Sequence, residues 1–134
     1  MKKILASLCL ICLSLDVKAE NLKEATVPVS LSEFVYLHEK MPDIVASELR
    51  QNRGKYVVVD VRFPEEIKKD GMIPGSIVAT LGDPLLKFLS SADRSKVYVF
   101  VCSSGIRGAF SAITAKLSGF DAHVLRYGYM GWLM

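Results

Sequence analysis

The chain has little cysteine, one tryptophan and only a small surplus of positive charge. Across 134 residues there are three Cys, nine Gly, five Pro and two His. Ordinary Gly and Pro usage excludes a collagenous or Pro-rich chain. With 51% hydrophobic and 23% charged residues, an acidic or low-complexity disordered chain is excluded too. The net charge of +3 is concentrated at the start, where Lys2, Lys3 and Lys18 lie with Asp16. Without residues 1–19, 14 Lys and Arg face 13 Asp and Glu, so nothing electrostatic calls for a nucleic-acid partner. His38 and His123 stand apart, with no Cys- or carboxylate-rich spacing around them, so no metal site is expected. No repeat is visible.

Residues 1–19, MKKILASLCLICLSLDVKA, read as an address. Two lysines precede the apolar run Ile4–Leu15, and Val17-Lys18-Ala19 offers small residues where signal peptidase reads them. Twelve residues rise only about 18 Å as a helix, short of the ~30 Å hydrocarbon core, so an uncleaved anchor is disfavoured. Leu8 and Ile11 precede Cys9 and Cys12 where lipidation would want a small residue. The expectation is a secretory signal cleaved after Ala19, an exported, periplasmic protein, and no stable membrane insertion after processing. Cys9 and Cys12 leave with that segment, which makes Cys102 the single remaining thiol. An odd Cys in an exported chain is an intermolecular partner or a functional group.

Residues 20–134 suit one compact α/β domain. Residues 20–30 read as a lead-in strand or extended arm. Pro42-Asp43 predicts a helix through about Arg50, with Gly54 ending that stretch. YVVVDV, Tyr56–Val61, is a β-branched run suited to a strand covered on both faces. Pro64-Glu65-Glu66 starts a short helix whose carboxylates lie near the positive dipole end. Gly71–Gly75 is turn-rich, Ser76–Thr80 a short strand, and Asp83-Pro84 opens a helix to about Ser90. KVYVFV, Lys96–Val101, is a second buried-strand run. Arg107–Leu117 is amphipathic, and His123–Leu125 forms a last strand before Tyr127–Trp132. Alternating strands and helices predict a central parallel sheet with helices on both faces, and ligands bind at the carboxyl ends of such strands.

Cys102 follows KVYVFV directly and opens Cys102-Ser103-Ser104-Gly105-Ile106-Arg107. A loop curling into a helix N-terminus points backbone N–H groups inward and adds the positive end of the macrodipole, which favours a thiolate. Gly105 permits a tight turn or a close ligand approach. Arg107 offers a bidentate cation to an oxyanion, and the Ser103 and Ser104 hydroxyls can donate hydrogen bonds. A Cys at a strand end also serves simply as a small buried hydrophobe. Its position, the Gly and Arg downstream, and its retention in an exported chain favour a nucleophilic sulfur that reacts with a small anion. Asp60 reads as a strand-end ion pair with Arg62; Arg62 could instead lend positive potential to the pocket.

Four blocks in order across most of 55–132 resemble the rhodanese-like sulfurtransferase family. They are Val59-Asp60-Val61-Arg62 with Pro64-Glu65-Glu66-Ile67, Gly71-Met72-Ile73-Pro74-Gly75-Ser76-Ile77, the Cys102–Arg107 loop with its Ala-rich helix, and Gly119-Phe120 through Leu125-Arg126-Tyr127-Gly128 to Gly131-Trp132. Met72 replaces the usual His, Gly108 stands where Ser often follows the Arg, and Tyr127 replaces the first Gly of a common Gly-Gly pair. The resemblance implies a persulfide carried on Cys102, with Ser103, Ser104, Gly105, Ile106 and Arg107 around the substrate. It implies a small sulfur-containing anion such as thiosulfate as donor, cyanide or a thiol as acceptor, and no cofactor.

A Cys-based phosphatase or arsenate reductase needs one more residue between Cys and Arg to enclose a tetrahedral oxyanion. Here four residues separate Cys102 from Arg107 and Gly108 takes the required place, which counts against it. A non-catalytic sulfur carrier, redox sensor or binding module of the same fold is the competing reading from another class.

Overall fold

The computed structural model describes residues 40–134. The expected signal segment, the lead-in at 20–30 and His38 lie outside the described residues. In chain order the elements are β1 (Asp43–Ile44), α1 (Ala46–Gln51), a 3-10 turn (Arg53–Lys55), β2 (Tyr56–Asp60), α2 (Pro64–Asp70) and β3 (Ile77–Val78). There follow α3 (Asp83–Ser91), β4 (Val97–Val101), α4 (Ile106–Leu117), β5 (Asp121–Leu125) and α5 (Gly128–Leu133). The strands form one sheet in the order β1-β5-β4-β2-β3, and every pairing is parallel.

The two runs of bulky β-branched and aromatic residues, YVVVD and VYVFV, pair along their whole length from Tyr56↔Val97 to Asp60↔Val101. Alternate residues face opposite ways in a strand, so each run feeds two cores. Val59, Tyr98, Phe100, Ala122 and Val124 meet Leu85 and Leu89 of α3 and Ala112 and Ala115 of α4. Tyr56, Val58, Val99, Val101 and Leu125 face the other way, against Leu49 of α1, Ile73 and Tyr129 of α5. Both faces are covered, as the alternation of strands and helices requires.

One expected element is corrected. The helix read from Pro42-Asp43 to Arg50 begins only at Ala46, and Asp43–Ile44 is a strand. The open edge of β5 decides this: Asp43 and Ile44 pair with Val124 and Leu125, and Arg126 donates from its backbone N to the Ile44 carbonyl at 2.9 Å. Pairing with a distant strand outweighs the local preference for a helical start. The strand expected over Ser76–Thr80 is two residues long, Ile77–Val78, at the opposite edge.

Candidate active site

β2 and β4 are adjacent and parallel, so their carboxyl ends deliver Asp60 and Val101 to the same rim in register. Cys102 sits one residue beyond, 1% exposed. The next three residues turn back under Gly105, whose φ of 108° is the left-handed backbone that glycine alone adopts without penalty. The turn brings the Gly105 N–H to 3.1 Å from the Cys102 Sγ, at the mouth of the twelve-residue α4. The sulfur therefore meets a backbone donor and the positive end of a helix dipole together, both of which favour negative charge on it.

The other side of the loop is held by α5. Tyr129 N donates to the Cys102 carbonyl at 2.7 Å, and Met130 N to the Ser103 carbonyl at 3.0 Å. That approach needs a residue with no side chain between the two segments. A Cβ on Gly128 would lie 2.7 Å from the Ser103 carbonyl oxygen and 2.8 Å from the Gly105 nitrogen, and its φ is 58°. Tyr127, in the position next to it, has a φ of 61° and is the one described residue other than glycine in the left-handed region.

Arg107 is not a free cation. Its Nη1 donates to Glu66 Oε2 at 2.7 Å and its Nη2 to Oε1 at 2.6 Å, a bidentate fork between α4 and α2. Ser103 Oγ donates to Glu66 Oε1 at 2.7 Å and accepts from Arg107 Nη2 at 3.1 Å. Glu66 also accepts from the Phe63 backbone N at 3.0 Å, closing the N-terminus of α2. The Arg107 guanidinium, then the Ser103 hydroxyl and Phe63 N–H, hold the Glu66 carboxyl down to about 2. Arg107 is raised in turn, first by Glu66, with the Cys102 sulfur adding to it.

Arg62 is fully buried, with its Nε and Nη2 on the two Asp60 oxygens at 2.7 to 3.1 Å and Nη2 also on the Gly71 carbonyl at 2.7 Å. Burial works to lower its pKa, and the Asp60 carboxylate outweighs that, so the value is raised and the cation is kept. Its guanidinium lies 4.2 Å from the ring centre of Tyr129, whose hydroxyl donates to the Asp70 carbonyl at 3.0 Å. The Asp60–Arg62 pair thus supports the residue that holds the Cys102 carbonyl.

Two depressions flank the loop. One, about 290 Å³, is lined by Arg62, Asp70, Ser103, Tyr129, Met130 and Leu133. The other, about 350 Å³, is lined by Ser104, Gly105, Ile106, Ala109, Phe110 and Ile113. Ser104 and Ile106, which line the second, are exposed. Among the described residues no three His, Cys, Asp or Glu side chains are grouped to hold a metal ion.

The structure thus brings Cys102, Ser103, Gly105 and Arg107 into one cluster and places Asp60 and Arg62 beneath it as a buried pair. Sequence reasoning missed Glu66, which it took only as a first-turn carboxylate of α2, and Tyr129. The place of Glu66 in the Asp60-Val61-Arg62 block that carries the family resemblance was the available signal for it; nothing local marked Tyr129.

The family model of the rhodanese-like domain matches residues 45–134. The candidate sulfurtransferase YtwF of Bacillus subtilis (strain 168) is 33% identical over 75 residues, which cover 56% of this chain and 71% of that one. A rhodanese-like domain protein from Staphylococcus aureus superimposes with a TM-score of 0.63 at 28% identity, over 69% of this chain and 91% of that one. A rhodanese-related protein from Thermoplasma volcanium does so with a TM-score of 0.60 at 26% identity, over 69% and 90%.

Proposed function

The chain belongs to the rhodanese-like domain family, and from that membership we propose that it is a sulfurtransferase working through a persulfide on Cys102. The observation that carries this reading is the Gly105 N–H, 3.1 Å from the Cys102 sulfur at the start of α4. A group so placed supports negative charge on the attacking thiolate and, once sulfur is loaded, on the persulfide that replaces it.

The Cys102 thiolate attacks the outer sulfur of thiosulfate or a related donor. A new S–S bond forms while the donor's S–S bond breaks, and the electron pair leaves on sulfite. The persulfide then passes its outer sulfur to cyanide or a thiol acceptor, which frees the thiolate. Glu66 and Arg107 keep the loop closed around the sulfur, and no cofactor enters either step. The name borne by YtwF supports this class of chemistry.

Incubation with a sulfane-sulfur donor is expected to add the mass of one sulfur atom, and cyanide to remove it. Cys102→Ser is expected to abolish adduct and turnover while the far-ultraviolet spectrum stays native. Turnover by the Ser variant overturns covalent catalysis at this position. A non-catalytic sulfur carrier of the same fold is favoured only by the near-complete burial of Cys102, and it would load sulfur without multiple turnover. Export follows from the lysines, apolar run and Val-Lys-Ala exit of residues 1–19 as part of the same proposal, and N-terminal sequencing of secreted material tests it.

A further inference from the structure

The outer face of α4 is apolar along its whole length. Ile106, Phe110, Ile113 and Leu117 recur at intervals of four, three and four residues and so share one side of the helix. Ile106 is 67% exposed, Phe110 51% and Leu117 45%. Ile113 is buried, yet among the described residues it belongs to neither core cluster. It lines instead the depression of about 350 Å³ that Ser104, Gly105 and Phe110 share. An apolar stripe that opens into a groove is suited to an amphipathic helix anchored through its own i, i+3 and i+4 side chains.

The chain supplies such a partner just ahead of β1. Ser30 and Glu33 have the spacing of a capping box, and Val29 and Phe34 that of the apolar pair that brackets one. Over residues 31–39 a helix would carry Leu31, Phe34, Val35 and Leu37 on one side. Ser32, Glu33 and Glu39 would fall on the other, and Pro42 stops the run. Nine residues rise about 14 Å, against about 17 Å from Ile106 to Leu117. The chain also enters the domain on the matching side. Met41 and Ala109 pack against the same core cluster, and Ala109 lines the groove. The Pro42 carbonyl accepts from Val124 N at 3.2 Å, and α4 rests directly on that part of β5: a Cβ on Gly108 would lie 3.2 Å from the Val124 side chain. Residues 31–39 precede the stretch 45–134 that the family model matches, so the segment is particular to this chain and not part of the shared domain.

We propose that residues 31–39 fold as a short amphipathic helix on the outer face of α4, with its apolar side in the groove beside the Cys102 loop. The inference goes beyond the sulfurtransferase reading and does not depend on it. A helix of nine residues is marginal by itself in water, so its hydrogen bonds persist only while its apolar side is covered. Covering Phe110 and Leu117 takes apolar surface out of water on both partners, which holds the segment down. Docked there, the segment forms an outer wall of the depression that Ser104 and Gly105 contribute from the sulfur loop.

Hydrogen exchange of the full chain, read by mass spectrometry, tests this. The backbone N–H groups of residues 34–39 are expected to exchange about tenfold or more slowly compared with an unstructured chain. Phe34→Asp and Phe110→Asp, one on each side of the contact, are each expected to remove that protection while β2 and β4 keep theirs. Should Phe110→Asp loosen the strands as well, Leu117→Asp at the far end of the stripe takes its place. Sedimentation is expected to give wild type and Phe110→Asp the same mass. Unprotected N–H groups over 34–39 in the wild type, or protection that survives both Phe110→Asp and Leu117→Asp, overturn the inference. A dimer that Phe110→Asp splits overturns it as well and gives the groove to a second copy of the chain.

Discussion

Replacing Glu66 by Gln tests whether one carboxylate holds the sulfur loop in place. Gln keeps the shape, removes the charge and turns an amide N–H₂ toward Arg107, which has only donors to offer. A fall of the Glu66 carboxyl from 4.5 to about 2 corresponds to about 3 kcal/mol of native-state stabilisation at neutral pH. Both side chains are 28% exposed, so solvent takes part of that, and the charged hydrogen bonds alone suggest about 1.5–3 kcal/mol. For a domain near 100 residues the variant is expected to melt about 6–24 °C lower at pH 7. The pH dependence has a definite sign. The folded value is depressed, so the stabilisation is complete above the unfolded value near 4.5 and is lost as pH falls through about 2. Urea denaturation of both proteins at pH 7, 5 and 3 should show the wild-type advantage constant between the first two and less than about half as large at pH 3. An advantage unchanged at pH 3 would refute the ion pair as its source. Equal stability at pH 7 would remove Glu66 from the architecture of the loop.

Three further perturbations probe the surroundings. Gly128→Ala forces a Cβ against the Ser103 carbonyl and the Gly105 nitrogen and is expected to cost about 3 kcal/mol or more, with sulfur loading of Cys102 lost alongside; a melting temperature within 3 °C of wild type, by the same conversion of about 4–8 °C per kcal/mol, contradicts the packing of α5 on the loop. Asp60→Asn leaves the Arg62 cation buried beside a neutral amide and is expected to destabilise by about 3–5 kcal/mol, checked by denaturant titration. Tyr127→Asn keeps an exposed residue in the left-handed region at lower steric cost, so it is expected to gain about 0.5–1 kcal/mol, and a loss measured by calorimetry would mean that the Tyr127 ring makes a stabilising contact.

Much of this protein is legible along the chain because its signals are local. YVVVDV and KVYVFV carry their strand preference in consecutive side chains, and the residue after each run falls at the carboxyl rim of a parallel sheet whatever the rest of the chain does. Cys102 could therefore be placed at a strand end before a helix N-terminus from sequence, and the α/β class followed from alternation alone. What tertiary structure decided are the partnerships between distant residues. Asp43–Ile44 became a strand because β5 offered an edge some eighty residues later. Arg107, which local reasoning offers to an incoming anion, is bound to Glu66, forty-one residues earlier. Gly128 and Tyr129 reach the Cys102 loop only because β5 returns the chain to the same rim. Charge and hydrogen-bonding capacity belong to a residue wherever it stands, but the fold determines which opposite group meets it, and so whether that capacity is left for a ligand.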